Sequence, residues 1–328
     1  MKRNYFIFLA IVLLASCKTK NIGSIERIDP ALNSIISENA KIEIIAKGFK
    51  WSEGPVWLKD QNMLIFSDVP KNTIYKWTEE KGLETYLTPS GYTGSVPRGG
   101  EPGSNGLLIN KDGKLVLCQH GDRRLALMDA VLNDPKSNFI SIADNYNGKR
   151  FNSPNDLVQR SNGDYFFTDP PYGLLKNMED SSKEITFQGV YKVGADKIVK
   201  LMVDSLTRPN GIAFTPDEKT LVIGNTDPPK LIWYGFDFAS NDSLINGRIL
   251  YDATEAGKSN QGSPDGLKID KQGNVFASAP GGLWIFNKDF KLLGKIKLPV
   301  PAANCALANG DSTLFITADM YVLRVKMR

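Results

Sequence analysis

Six positions in this chain place an oxygen-bearing side chain just before an apolar run: Glu53, Asn105, Asn155, Asn210, Asp265 and Asn304. Their segments are alike. Trp51-Ser-Glu-Gly-Pro-Val-Trp57, Gly103-Ser-Asn-Gly-Leu-Leu108, Ser153-Pro-Asn-Asp-Leu-Val158, Arg208-Pro-Asn-Gly-Ile-Ala213, Ser263-Pro-Asp-Gly-Leu-Lys268 and Ala302-Ala-Asn-Cys-Ala-Leu307 share a turn, an acid or amide, and a strand. An Asx turn would account for any one Pro-Asn-Gly by itself. It does not account for Glu53, a poor Asx-turn former, or for Asp265 where the neighbouring repeats carry Asn. Two carboxylates among amides carry a charge of −2, which matches one divalent cation. Hard oxygen ligands of this mixed kind favour calcium, with magnesium and manganese as alternatives.

Such residues act together only if the fold brings them together. Successive positions are 52, 50, 55, 55 and 39 residues apart, and each is followed by short apolar runs separated by polar turns. In the first repeat the runs are Pro55–Leu58, Met63–Phe66, Thr73–Trp77 and Leu83–Leu87. Turn residues stand where hairpins need them, as in Lys111-Asp-Gly-Lys114, Ser161-Asn-Gly-Asp164 and Lys271-Gln-Gly-Asn274. No long stretch has helical periodicity. A period near fifty with three or four strands per unit predicts an all-β, six-bladed β-propeller over residues 39–328. The last repeat lacks a strand, and Lys41–Ala46 is placed to supply it by pairing with the C-terminal strand, which closes the ring and removes both edges. The six acids and amides then ring one mouth of the central channel. Asp68, His120, Asp169, Asn225 or Asp227, Ser278 and Asp319, at the ends of the second strands, are expected on the same rim, and a doubly polar mouth is a binding site in outline.

Other chemistries are excluded by composition. His120 is the only histidine, so a histidine-rich zinc site is impossible, and a Ser-His-Asp triad would have to use it. No Gly-x-Ser-x-Gly elbow, phosphate loop or dinucleotide fingerprint occurs. The net charge of +4 includes Lys2 and Arg3; without the first sixteen residues it is 38 positive against 36 negative, no electrostatic case for nucleic acid.

Residues 1–16 read as a signal. Lys2 and Arg3 precede an apolar run from Tyr5 to Leu14 that is too short to span a bilayer. Leu14-Ala15-Ser16-Cys17 resembles the lipobox of bacterial lipoproteins, with Cys17 as the lipidated residue; an ordinary signal peptide is the alternative. Residues 17–38 are polar and lack periodicity, and read as a tether. The domain is therefore expected outside the cytoplasm, anchored to a membrane and facing the periplasm or the cell surface. Cys118 and Cys305 are expected as buried, inert thiols.

The ordered set of motifs resembles the SMP-30/gluconolactonase/LRE-like family. The resemblance rests on Ser52-Glu-Gly-Pro-Val-Trp57, Asn152-Ser-Pro-Asn-Asp156, Arg208-Pro-Asn-Gly211 and Ser263-Pro-Asp-Gly266. Cys118-Gln-His-Gly-Asp-Arg-Arg124 and Phe167-Thr-Asp-Pro-Pro-Tyr-Gly173 are similar to its bacterial gluconolactonase branch. That family consists of calcium- or zinc-dependent six-bladed propellers, many of them lactonases and some phosphotriester hydrolases. Carried over, its metal ligands fall on Glu53, Asn155, Asn210 and Asp265, and its remaining axial positions on Asn105 and Asn304, where substrate contacts are expected. The implied reaction is opening of a sugar lactone, with the metal polarising the carbonyl. Asp265 would both bind metal and activate water, with Asp169 and His120 as further candidates for proton transfer. The Gly/Pro-rich segment 89–103 would cover the mouth and offer Arg98 to substrate, unless it is an ordinary surface loop. A calcium-stabilised binding propeller without catalysis, and a hydrolase of another ester, remain as alternatives.

Overall fold

The computed structural model describes residues 20–328. The signal segment and Cys17 lie outside the described residues.

Six antiparallel sheets of four or five strands follow one another along the chain. The first four are simple meanders whose innermost strands are Ser52–Leu58, Ser104–Ile109, Leu157–Gln159 and Pro209–Phe214. The sixth takes three strands from the C-terminus, Asn304–Ala308, Thr313–Ala318 and Tyr321–Lys326, and its outer strand, Ile42–Lys47, from near the N-terminus. Ile42 pairs with Val325 and Lys47 with Tyr321. The expected closure is present.

Apolar residues on successive strands pack between neighbouring blades, and each of the six interfaces holds one buried cluster. Where the ring closes, Phe66 and Leu64 of the first blade meet Phe315, Ala306 and Val322 of the sixth. Truncating a buried phenylalanine such as Phe66 would cost about 3–5 kcal/mol, so closure is held by packing as well as by strand pairing. Cys118 and Cys305 are buried free thiols, as expected.

Residues 20–38 depart from the tether reading. Ser24–Arg27 pairs antiparallel with Leu292–Lys297 and adds a fifth strand to the fifth blade. A turn of 3-10 helix follows at Pro30–Ser34, capped by Asp29, whose carboxylate accepts the Ala31 N–H at 2.8 Å. Leu32 and Ile36 are fully buried against Leu293, Ile296, Leu314 and Leu323. The Arg27 guanidinium donates to Asn33 Oδ1 and to the Ile36 and Ser37 carbonyls. Of the apolar side chains packed here, Ile25 lies in the strand, Leu32 in the helical turn, and Ile22 and Ile36 just outside them. Neither stretch is long enough to show its period in sequence.

Candidate active site

The innermost strands place three of the six repeated residues by a break in register. Pairing slips between Glu53 and Val56, between Ser104 and Leu107, and between Pro209 and Ile212. A bulge of this kind re-aims a side chain, and here it falls on Glu53, Asn105 and Asn210. The glycine after the acid or amide serves the contact between blades more than a turn. A Cβ on Gly211 would lie 2.0 Å from the Asp265 carbonyl oxygen, and one on Gly54, at φ +50°, would lie 2.1 Å from that of Asn105. Each glycine therefore lets the key segment of one blade press against that of the next.

The result is a cavity of about 420 Å³ at one mouth of the channel. Glu53, Asn105, Asn155, Asn210 and Asp265 all line it. The two carboxylates feel each other. Glu53 is pushed up to about 8, first by burial and against the Gly54 N–H that donates to it at 2.7 Å. Asp265 is raised well above the usual carboxylate range by burial, then by the charges of Glu53, Asp156 and Glu101, while the Asn210 amide opposes the shift. Among the described residues no three His, Cys, Asp or Glu side chains gather as a metal cluster. Beside Glu53 and Asp265 the lining offers the amides of Asn105, Asn155 and Asn210 and the Glu101 carboxylate.

Asn304 does not line the cavity, contrary to the substrate role expected for it. It is buried beneath, where its Oδ1 accepts from Lys268 Nζ at 3.1 Å and from the Cys305 N–H at 2.9 Å. Its Nδ2 faces Asp156 Oδ2 at 3.5 Å. Lys268, Asn304 and Asp156 thus bridge three blades below the carboxylates. Beyond them the channel opens at the opposite mouth, lined by Val56, Leu108, Val158, Ala213, Leu307 and Lys268. Five apolar residues and one lysine occupy the same place in their repeats.

The second ring of polar residues turns away from the cavity. Asp169 is fully buried and accepts the backbone N–H groups of Asn152 and Ser153, both at 2.8 Å. Asp68 does the same for Lys50 and Trp51, and Asn225 for Arg208. These side chains hold the loops that deliver Glu53, Asn155 and Asn210. Asp169 is raised well above its ordinary range by burial, with those N–H groups and Arg123 opposing. It has no route to a substrate, so its expected part in proton transfer is replaced by a scaffolding one. Asp227 pairs with Arg208 at 3.7 Å.

Arg98 is also committed elsewhere. Its guanidinium donates to the Gly121 and Gly173 carbonyl oxygens at 2.9 and 2.5 Å and lies over the Tyr92 ring. It ties segment 89–103 to the neighbouring loops rather than facing the cavity. His120 is fully buried and does not reach the cavity wall either.

The lining residues that spacing did not single out include Trp51, Glu101, Tyr172 and Thr226. Trp51 and Tyr172 stand inside the motifs Trp-Ser-Glu and Pro-Pro-Tyr-Gly, which was the available signal. Glu101, four residues before Asn105, had none.

A propeller that gathers two carboxylates and three amides from five blades at one mouth of its channel belongs to a recognisable class, the six-bladed propellers with an axial polar site. Residues 51–319 match the SMP-30/Gluconolactonase/LRE-like region, and the chain belongs to that family. It is similar to a gluconolactonase of Zymomonas mobilis, with 41% identity over 94% of this chain and 87% of that relative. A solved structure of a gluconolactonase from Xanthomonas campestris matches with a TM-score of 0.80 and 27% identity, covering 94% of this chain and 98% of the other. A calcium-binding protein, regucalcin from Agrobacterium tumefaciens, has the same fold with a TM-score of 0.65 at 16% identity, over 87% of this chain and 94% of that one.

Proposed function

We propose that this protein is a metal-dependent lactonase that opens a sugar lactone by attack of water. The observation that carries the reading is the convergence of Glu53 and Asp265, from blades far apart in sequence, on one polar cavity. The gluconolactonase relative aligned over most of both chains supports the substrate class.

The donor set fits a hard divalent cation, calcium in the first place, with zinc, magnesium or manganese as alternatives. Burial first, then neighbouring carboxylate charge, Asp156 for Glu53 and Glu53 for Asp265, raise both groups, and a cation would relieve both effects. Glu53, Asn155, Asn210 and Asp265 would hold it. When bound it would supply Lewis acidity toward the lactone carbonyl oxygen. The chain's own residues would do the rest. Asn105 and the Tyr172 hydroxyl, which is buried and without a hydrogen-bond partner among the described residues, are placed to hold the polar groups of a sugar ring. Trp51, Leu231 and Pro301 supply apolar wall.

The test is hydrolysis across a panel of sugar lactones, with and without chelator, beside Glu53→Gln and Asp265→Asn and with metal analysis of the purified protein. Activity that survives both chelation and substitution overturns the reading. Metal binding without hydrolysis of any lactone or other ester would make the chain a binding propeller.

We further propose that residues 1–16 direct export and that Cys17 carries a lipid anchor. Among the described residues no helix is long and apolar enough to cross a membrane. Mass spectrometry of the mature N-terminus, and release of a Cys17→Ala variant from the membrane fraction, check this. An unmodified Cys17 overturns it.

A further inference from the structure

Four titratable side chains line the cavity: Glu53, Glu101, Tyr172 and Asp265. On the reading above, Glu53 and Asp265 are ligands, with their lone pairs directed at a cation. Burial and the nearby charge of Asp265 hold the Tyr172 hydroxyl above its ordinary range, which suits a hydrogen-bond donor and not a base. Glu101 is the one carboxylate of the cavity with no ligand role. Its side chain is 33% exposed, so it reaches both cavity and solvent.

The segment that carries Glu101 is fastened rather than loose. The Asn72 side-chain oxygen accepts the N–H groups of Ser90, Gly91 and Tyr92. Arg98 fixes the middle, and the Gly103 N–H donates to the Val69 carbonyl at 2.9 Å. Behind Glu101 stands His120. Its Nδ1 is 3.6 Å from Glu101 Oε2, its side chain is fully buried, and neither ring nitrogen has a hydrogen-bond partner among the described residues. A Cβ on Gly173 would come within 2.6 Å of the His120 Cβ, so the end of the Pro-Pro-Tyr-Gly motif leaves the imidazole its space. A buried imidazole with unspent ring nitrogens is costly unless it has a use. The ionisable group beside it is the cavity's uncommitted carboxylate.

We propose that Glu101 is the general base of lactone opening and that His120 is its positioning residue; the inference rests on the lactonase reading. Glu101 takes a proton from water as the water oxygen bonds to the lactone carbonyl carbon. When the tetrahedral adduct collapses, the ring carbon–oxygen bond breaks, and the proton held by Glu101 passes to the departing ring oxygen. Lactone and water become one hydroxy acid, and Glu101 is again a carboxylate. His120 holds the carboxylate in orientation, with a separation that shortens into a hydrogen bond when substrate is bound, as apo catalytic contacts commonly do. The other titratable groups lining the cavity are Glu53, Asp265 and Tyr172, and the charged group beside His120 is Arg98, held on the Gly121 and Gly173 carbonyls.

The experiment uses the full folded domain loaded with calcium. Glu101→Gln is expected to lower kcat by about 10²–10⁴-fold, with KM and calorimetric calcium affinity held within about threefold of the parent. Formate is expected to restore part of the rate of Glu101→Ala, since a small carboxylate can enter the open cavity, and not that of Asp265→Asn. His120→Gln is expected to lower kcat less and to shift the acidic limb of the kcat/KM–pH profile, a change that a purely structural loss would not make. Near-parental kcat in Glu101→Gln, or rate loss matched by loss of calcium binding without formate rescue, overturns the assignment and leaves the lactonase reading standing. A parent protein that hydrolyses no lactone overturns that reading itself.

Discussion

Asp169 Oδ2 accepts the backbone N–H of Asn152 at 2.8 Å, three residues before Asn155 enters the cavity wall. The other carboxylate oxygen accepts the Ser153 N–H at the same distance. A side chain predicted to move protons instead fixes the path of the loop that carries Asn155. Asp169→Ala would leave two buried N–H groups without partners, at about 1–3 kcal/mol each. The expected outcome is a lowered unfolding midpoint and weaker metal binding. Asp169→Asn keeps an acceptor and should retain most of the activity, whereas in a proton-transfer role it would be as damaging as alanine. Thermal unfolding and kcat of the two variants, measured together, separate these cases.

The raised carboxylates give stability a definite pH dependence. In metal-free protein Glu53 keeps its proton up to about 8 when folded and loses it near 4.5 when unfolded. Between those values the unfolded state binds fewer protons, so stability falls as pH rises. Asp265 and Asp169, both raised, act in the same direction. Chelated protein should therefore lose thermal stability from pH 5 to pH 8. Metal binding needs the ionised forms, so apparent calcium affinity should rise over that window with proton release, seen by calorimetry in buffers of different ionisation enthalpy. Affinity independent of pH would contradict these shifts.

Lys268 donates to Asn304 below the two carboxylates, and its charge favours ionised Glu53. Lys268→Met removes a like charge from beneath a bound cation. Divalent affinity is expected to tighten severalfold, while Asn304 loses a partner and the unfolding midpoint drops. Titration of calcium against a competing chelator checks the first, and thermal scans the second.

The N-terminal segment should behave as part of the domain. A chain starting at residue 39 exposes the pockets of Leu32 and Ile36, each worth about 1.5–3 kcal/mol, and frees the edge covered by Ser24–Arg27. Its unfolding midpoint should fall by several degrees or more. A truncated protein as stable as the parent would restore the tether.

The repeat, the blade count and the ring of axial residues were legible along the chain. These follow from local pattern: a strand announces itself by its apolar run and flanking turns, and a sixfold repeat of near-fifty residues admits few closed architectures. The substitution of Glu53 and Asp265 among asparagines also marked the ionic site without coordinates. Where the other side chains point depended on how the blades pack. Asp169 and Arg98 turned to backbone groups because a buried loop must satisfy its own N–H and carbonyl groups. Asn304 lies off the cavity on a strand that keeps regular register, where those of Glu53, Asn105 and Asn210 are bulged. Glu101 and His120, nineteen residues apart and on a loop and a strand end, meet through contacts that no spacing along the chain encodes. The axial site was thus readable from periodicity, while the uncommitted carboxylate beside it was placed by packing between blades.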